Sequence, residues 1–278
     1  MRFLFAVLLW LLTTAALAVT VTAAWTQSRL VDENGYVALT EPAAADPRVQ
    51  HAISEELTTQ IVSLSKKQGS RVNQTDMADM TAAYTSGPQF RADFASANRM
   101  AHQWLFTNST PVQRDSQGSW QVDLAPMIKS LVPQGLSIKA PDTLKVSVTD
   151  DNLAGLTPGR LVPVARFGQL AVWIFFGLTL ILAGLNQLAV HSRAKGLAGL
   201  GVSALLVGAA GWAGLEVGRR YLDRPLNRVT DNMRDVADSL VTQAVSNAHH
   251  WLSLTMAAGC LLIIIGVVSG MVGDLLRR

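Results

Sequence analysis

The sequence predicts a membrane α-helical protein with four transmembrane helices and an extracytoplasmic α+β domain carrying a small antiparallel sheet. Three observations lead there. Four long apolar segments run from Phe3 to Trp25, Phe167 to Val190, Leu197 to Leu215 and Trp251 to Gly273. Each reaches or approaches the ~20 residues that a helix needs to cross ~30 Å of hydrocarbon. The stretch 26–166 is polar enough for water and switches between helical and strand-like periodicity, and the stretch 222–250 carries an amphipathic stripe.

Hydrocarbon offers no hydrogen-bond partners, so the apolar segments read as helices, whose backbone bonds close internally. The first, residues 1–25, is signal-like: Arg2 precedes it and Ala16-Leu17-Ala18 resembles a cleavage site. Its apolar run continues to Trp25, beyond the ~7–15 residues of a cleaved signal core, so an uncleaved anchor is expected. Arg2, the turn from His191 to Lys195 and Arg277-Arg278 then mark the cytoplasmic side, with 26–166 and 216–250 outside. Arg219, Arg220, Arg224, Arg228 and Arg234 count against this orientation, although Asp223, Asp231, Asp235 and Asp238 interleave with them.

Composition narrows the function. Between Trp25 and Arg166, 13 Lys/Arg stand against 14 Asp/Glu. A domain this close to neutral has no basic stripe for a phosphate backbone, so nucleic acid is not an expected partner. The single cysteine, Cys260, lies in the last apolar segment; it reads as a small buried hydrophobe and leaves no Cys cluster for a metal. No cofactor is expected. None of the apolar segments carries a charge near its centre, which argues against an ion or proton pathway.

Within 26–166, Asn34-Gly35 signals a turn. Asp46-Pro47 then opens a helix, since Asp accepts the first orphan N–H groups and Pro is preset for the first helical position. Val49, Ile53, Leu57, Ile61 and Leu64 recur at helical steps until Gly69. A short helix is expected from Asp76 to Tyr84, and a second long one after Ser86-Gly87-Pro88, with Phe90, Phe94, Ala97, Ala101 and Trp104 on its buried face. Val112 to Arg114 and the alternating Trp120, Val122 and Leu124 read as a β-hairpin. A short helix from Pro126 to Val132 and a strand around Leu144, Val146 and Val148 complete the domain.

Tyr36-Val37, Glu41-Pro42, the run from Ala45 to Gln50, Phe90, Phe94, Ala97-Asn98-Arg99, Ala101-His102 and the run from Val122 to Pro126 carry a resemblance. With the three closing apolar segments, they make the chain similar to a family of uncharacterised actinobacterial integral membrane proteins. Phe94 stands where that family usually has tryptophan, and the stretch after Gly69 is shorter. The resemblance implies an exported α+β domain joined to a membrane bundle, and no activity.

Asn98 and His102 lie four apart on one helical face, with Arg99 beside them. In a site, His102 would move a proton or hold a metal while Asn98 oriented it. No acidic or thiol partner is spaced to complete the set, so a structural role is expected. The adjacent His249-His250 reads as an interfacial pair beside Trp251. Gly214 and Gly218, and Gly266 and Gly270, are four apart and suit close helix packing, within the bundle or against another protein.

Leu222, Leu226, Val229, Met233, Val236 and Leu240 step by four and three, so this stripe must cover the extracytoplasmic domain, another subunit or lipid headgroups. The expected function is non-enzymatic: a scaffold or accessory subunit that docks other membrane proteins through its extracytoplasmic domain and amphipathic helix, as in a respiratory or cell-wall-synthesis complex. Membrane lipid and other membrane proteins are the expected partners, with self-association left open. The alternatives are a lipid- or glycolipid-binding module, which needs a deep apolar cavity, and an envelope enzyme using His102.

Overall fold

The computed structural model describes residues 2–107, 121–131, 139–147, 161–190, 192–226 and 231–275. In chain order its elements are α1 (Arg2–Thr26), α2 (Glu33–Thr40), α3 (Pro47–Lys67), α4 (Gln74–Thr85), α5 (Pro88–Phe106), β1 (Gln121–Asp123), α6 (Ala125–Leu131), β2 (Lys145–Ser147), α7 (Val162–Ala189), α8 (Arg193–Leu226) and α9 (Asp231–Leu275). They form two compact units. A membrane unit comprises 1–31, 164–220 and 245–278; a helical domain comprises 32–163 and 221–244.

In the helical domain α1 has given way, through a π-helical turn at Gln27–Val31, to α2, where the sequence suggests a turn. Asn34-Gly35 is helical because Asp32 caps it, accepting the Gly35 N–H at 2.8 Å. Glycine costs less in a capped first turn than in a helix interior. Asp46 caps α3 in the same way through Arg48 N, and Gly69, at φ +71°, closes it. The helices then pack on one another. Ser54 and Thr58 of α3 both bond Thr81 of α4, at 2.9 and 2.7 Å, so three buried hydroxyls are satisfied in one cluster. Val49, Leu57, Ile61, Phe90, Ile128 and Leu131 form the centre of the core.

The α+β expectation is overturned. The described residues of this domain are predominantly helical, and helices pack on helices with no sheet as a layer between them. The one extended pairing among them is an antiparallel ladder of three residues on three, Gln121 opposite Ser147 and Asp123 opposite Lys145. Two strands this short cannot bury a face of their own. Asp123 ends the ladder: its Oδ1 accepts from Leu144 N at 2.8 Å and from Ala125 N at 2.9 Å, which starts α6. The strand expected at Val112–Arg114 lies outside the described residues.

The membrane unit holds four helices long and apolar enough to cross a membrane, within α1, α7, α8 and α9. α8 outruns its expected span, so Pro225 falls in its last turn and does not open a separate amphipathic helix. That helix begins instead at Asp231, as the first part of the 45-residue α9. Short polar links tie α1 to its neighbours. Trp10 Nε1 donates to Gly199 O at 3.0 Å, Thr14 bonds Ser203 at 2.8 Å, and Thr20 meets Thr179 at 2.9 Å. In hydrocarbon such side-chain bonds add to van der Waals packing as the glue between helices.

α8 and α9 run antiparallel along a glycine seam. A Cβ on Gly201 would stand 2.6 Å from Gly259 O, one on Gly259 2.8 Å from Gly201 O, and one on Gly266 2.8 Å from Ala194 O. Gly201 and Gly208, like Gly259 and Gly266, are seven apart, the repeat that keeps one stripe facing a near-parallel neighbour. Cys260, beside Gly259, is exposed and not buried as expected, because the seam takes the adjacent face.

Candidate functional site

The start of α9 packs into the helical domain. Met233 is buried in its core, and Val236 and Leu240 lie against that core. Their stripe therefore covers the domain's own helices. Leu226 sits in the last turn of α8, and Val229 lies outside the described residues. Beneath the stripe is a cavity of about 90 Å³, walled by Ile53, Phe94, Leu124 and Met127 and by Met233, Val236 and Leu240. Ala97, Ala101 and Ala237 also line it; side chains this short leave the space unfilled. Ligand cavities run to ~300–1,000 Å³, so this one is too small for a lipid or glycolipid headgroup.

The three polar residues of α5 go separate ways. Asn98 lines the cavity and donates back to Phe94 O at 2.9 Å. Arg99 pairs outward with Glu33 at 3.1 Å, where Gln103 also donates at 3.0 Å. His102 is buried, stacked on Phe106 at 4.4 Å and close to Tyr36 at 5.1 Å. Glu33 thereby links α2 to α5, beside the Tyr36–His102 contact. Its spacing from Arg99 carries no periodic signal.

A second link that the sequence does not announce joins α9 to the start of α3. Ser239, itself buried, donates to Asp46 Oδ2 at 3.0 Å, Arg48 bonds the same carboxylate at 3.1 Å, and Arg48 reaches Asp238 at 3.5 Å. Desolvation pushes the Asp46 carboxyl up, but the bonds from Arg48 N, the Arg48 side chain and Ser239, with the Arg48 charge, outweigh it and hold it below its ordinary value. A depressed pKa stabilises the fold above the unfolded value of ~3.9, and the gain is lost as pH falls through the folded one. Asp46→Ala is therefore expected to cost about 1 kcal/mol at neutral pH. In thermal melts the gap to the parent should narrow below about pH 4; a pH-independent gap would mean that the charge contributes nothing.

In the membrane unit Trp25 Nε1 donates to Asn247 Oδ1 at 3.1 Å, and His249 stacks on Trp212 at 4.5 Å. His249 Nε2 is buried with no hydrogen-bond partner among the described residues, and His250 is exposed. Gly266 packs in the α8–α9 seam, and a Cβ on Gly270 would stand 3.3 Å from Ala194 Cβ. A Cβ on Gly214 or Gly218 would meet nothing within 4 Å. The bundle's close contacts use Gly201, Gly208 and Gly259 instead.

Of the four apolar helices, α7 has the least buried span. Leu170, Ile174, Ile181 and Leu188 are each more than half exposed, Leu188 at 84%. Helical geometry puts Gly177 and Gly184 on that same face, opposite Thr179, and a Cβ at either glycine meets nothing within 4 Å. Four membrane-crossing helices and a helical domain define a multi-pass membrane protein. Set against known protein families, curated proteins and solved structures, the chain matches none.

Proposed function

We propose that this chain is a non-enzymatic envelope membrane protein, a scaffold or accessory subunit that docks another membrane protein through the outer face of α7. The reading rests on that face, where bulky apolar side chains flank Gly177 and Gly184. These glycines are one heptad apart, the step that α8 and α9 use where they touch. In a bilayer, small residues let a helix approach closely and gain packing that lipid chains supply less well. The stripe on α9 is not the docking surface, because the domain's own core occupies it.

A photoreactive residue at Ile181 should give one discrete protein adduct in cells. Gly177→Leu combined with Gly184→Leu should lower its yield about tenfold, the equivalent of ~1.4 kcal/mol, without lowering the melting temperature. Adducts to lipid alone, or no effect of the leucines, would remove the docking face. The proposed orientation has the helical domain outside and both termini in the cytoplasm, as Arg2, Lys195 and Arg278 favour. In a Cys260→Ala background, Thr75→Cys and Ser86→Cys should react with an impermeant maleimide on intact cells, and Lys195→Cys should not. The reverse pattern would invert the topology.

A further inference from the structure

We propose that the polar cleft between α3 and α4 binds an organic cation by a primary ammonium group, held by the carboxylates of Glu55 and Asp79 and the hydroxyl oxygens of Ser54 and Thr58. Three- and four-residue steps along α3 bring His51, Ser54, Glu55, Thr58 and Thr59 to one side of that helix. Gln74 and Asp79 face them from α4, with Ala78 and Ala82 one turn apart. Alanines at these two places leave the joint between the helices open as a cleft of about 490 Å³, within the ~300–1,000 Å³ of small-molecule sites. Ser54 and Thr58 are its buried part.

The hydrogen bonds inside the domain decide what the cleft offers. A hydroxyl carries one proton and two lone pairs. Thr58 shares its proton between Ser54 O at 2.8 Å and Thr81 at 2.7 Å. Thr59 gives its proton to Glu55 O, and Thr81 gives its own to Met77 O, both at 2.9 Å. With the Thr81 proton committed, Ser54 is the donor in the 2.9 Å bond that joins them. Every hydroxyl proton is therefore taken up within the domain, and only lone pairs are left for a ligand. Glu55 and Asp79 add carboxylates, which accept and do not donate. His51 already pairs with Glu55 at 3.2 Å, whereas the Asp79 carboxylate has no ion pair or hydrogen bond among the described residues. No lysine or arginine lines the cleft.

Acceptors in excess, with two negative charges among them, select a ligand rich in donors and positively charged. A primary ammonium brings three N–H donors and no acceptor. Phosphates and carboxylates meet like charge and too few donors. A neutral polyol brings acceptors of its own that this lining leaves unpaired. Among the described residues no three His, Cys, Asp or Glu side chains converge as a metal set. Charge-assisted hydrogen bonds are roughly twice as strong as neutral ones, so the ammonium carries the recognition while the rest of the ligand lies along Ala78 and Ala82. A free diamine and a lysine side chain of a peptide present the same group.

Calorimetric titration of the full-length protein in a neutral detergent, with cadaverine and with the peptide acetyl-Gly-Lys-Gly-amide, tests this. Saturable binding of the amine probes is expected, weakening as salt rises. Tighter binding of the peptide would assign the cleft to a polypeptide lysine, and tighter binding of cadaverine to a free amine. Asp79→Asn and Glu55→Gln should each weaken binding about tenfold without lowering the melting temperature. Ala78→Leu, which fills the cleft, should abolish it. Asp76→Asn, on the same helix but outside the cleft, should change nothing. Failure of both probes to bind, equal binding of uncharged pentanediol, or amine binding untouched by both carboxylate variants would each overturn the proposal. Should Ala78→Leu fail to fold, the two carboxylate variants decide it.

Discussion

Met233→Asp is expected to unfold the helical domain while leaving the membrane helices in place. Met233 is 7% exposed and belongs to the same buried cluster as Ile53, Phe94 and Met127. Losing a buried methionine forfeits about 1.5–3 kcal/mol, and forcing a carboxylate into an apolar wall adds roughly 1–3 kcal/mol more. A sum of about 2.5–6 kcal/mol is a large share of the ~5–15 kcal/mol that holds a domain together. Val236→Asp, at a partly buried position, should cost less. Arg234→Gln, one residue along on the exposed face, should cost almost nothing. Limited proteolysis reads the difference: Met233→Asp should expose sites in α3 and α5 that the parent protects. Parental resistance would mean that α9 does not complete this core.

Gly259→Ala should destabilise the membrane unit, although helix propensity alone predicts the opposite. Alanine is favoured over glycine inside a helix by about 1 kcal/mol. A Cβ here would stand 2.8 Å from Gly201 O and 3.0 Å from Leu205 N, both backbone atoms of α8. No rotamer relieves such a clash, so the two helices must part, at a cost of about 1–3 kcal/mol. Gly214→Ala is the matched control, since nothing lies within 4 Å of its Cβ position; there propensity should act unopposed. Melting in detergent should therefore move in opposite directions for the two variants. A stabilised Gly259→Ala would mean that α8 and α9 do not approach along this seam.

The membrane helices were legible because length and apolarity are local properties that a bilayer reads directly. Helix starts were legible where the chemistry of a cap sits beside the helix, as at Asp46-Pro47 and at Gly87-Pro88. Asn34-Gly35 misled because a turn dipeptide and a capped first helical turn share residue types, and Asp32 decides between them. The sheet misled because alternation at Trp120–Leu124 and Leu144–Val148 reports extended chain, not how many strands pair. Two three-residue strands satisfy that pattern without making a layer. The glycine seam was half legible: Gly266 stood out by its four-residue spacing to Gly270, whereas the seven-residue steps from Gly201 and Gly259 did not. Which glycines touch depends on how α8 and α9 face each other. The links from Glu33 to Arg99 and from Asp46 to Ser239 join residues far apart in sequence, where periodicity has nothing to say.

The helical domain takes its last core residues from 221–244, after α7 and α8 have been made. At ~5–20 residues per second, synthesis runs on for roughly 4–14 s between Pro163 and Met233. Through that interval Ile53, Phe94, Leu124 and Met127 lack the side chain that closes over them. The domain's maturation is thus tied to the arrival of two further hydrophobic segments, and a chain stalled before α9 displays the sticky interior that quality-control proteases seek. Arrival of the first turns of α9 thus becomes the event that completes the domain.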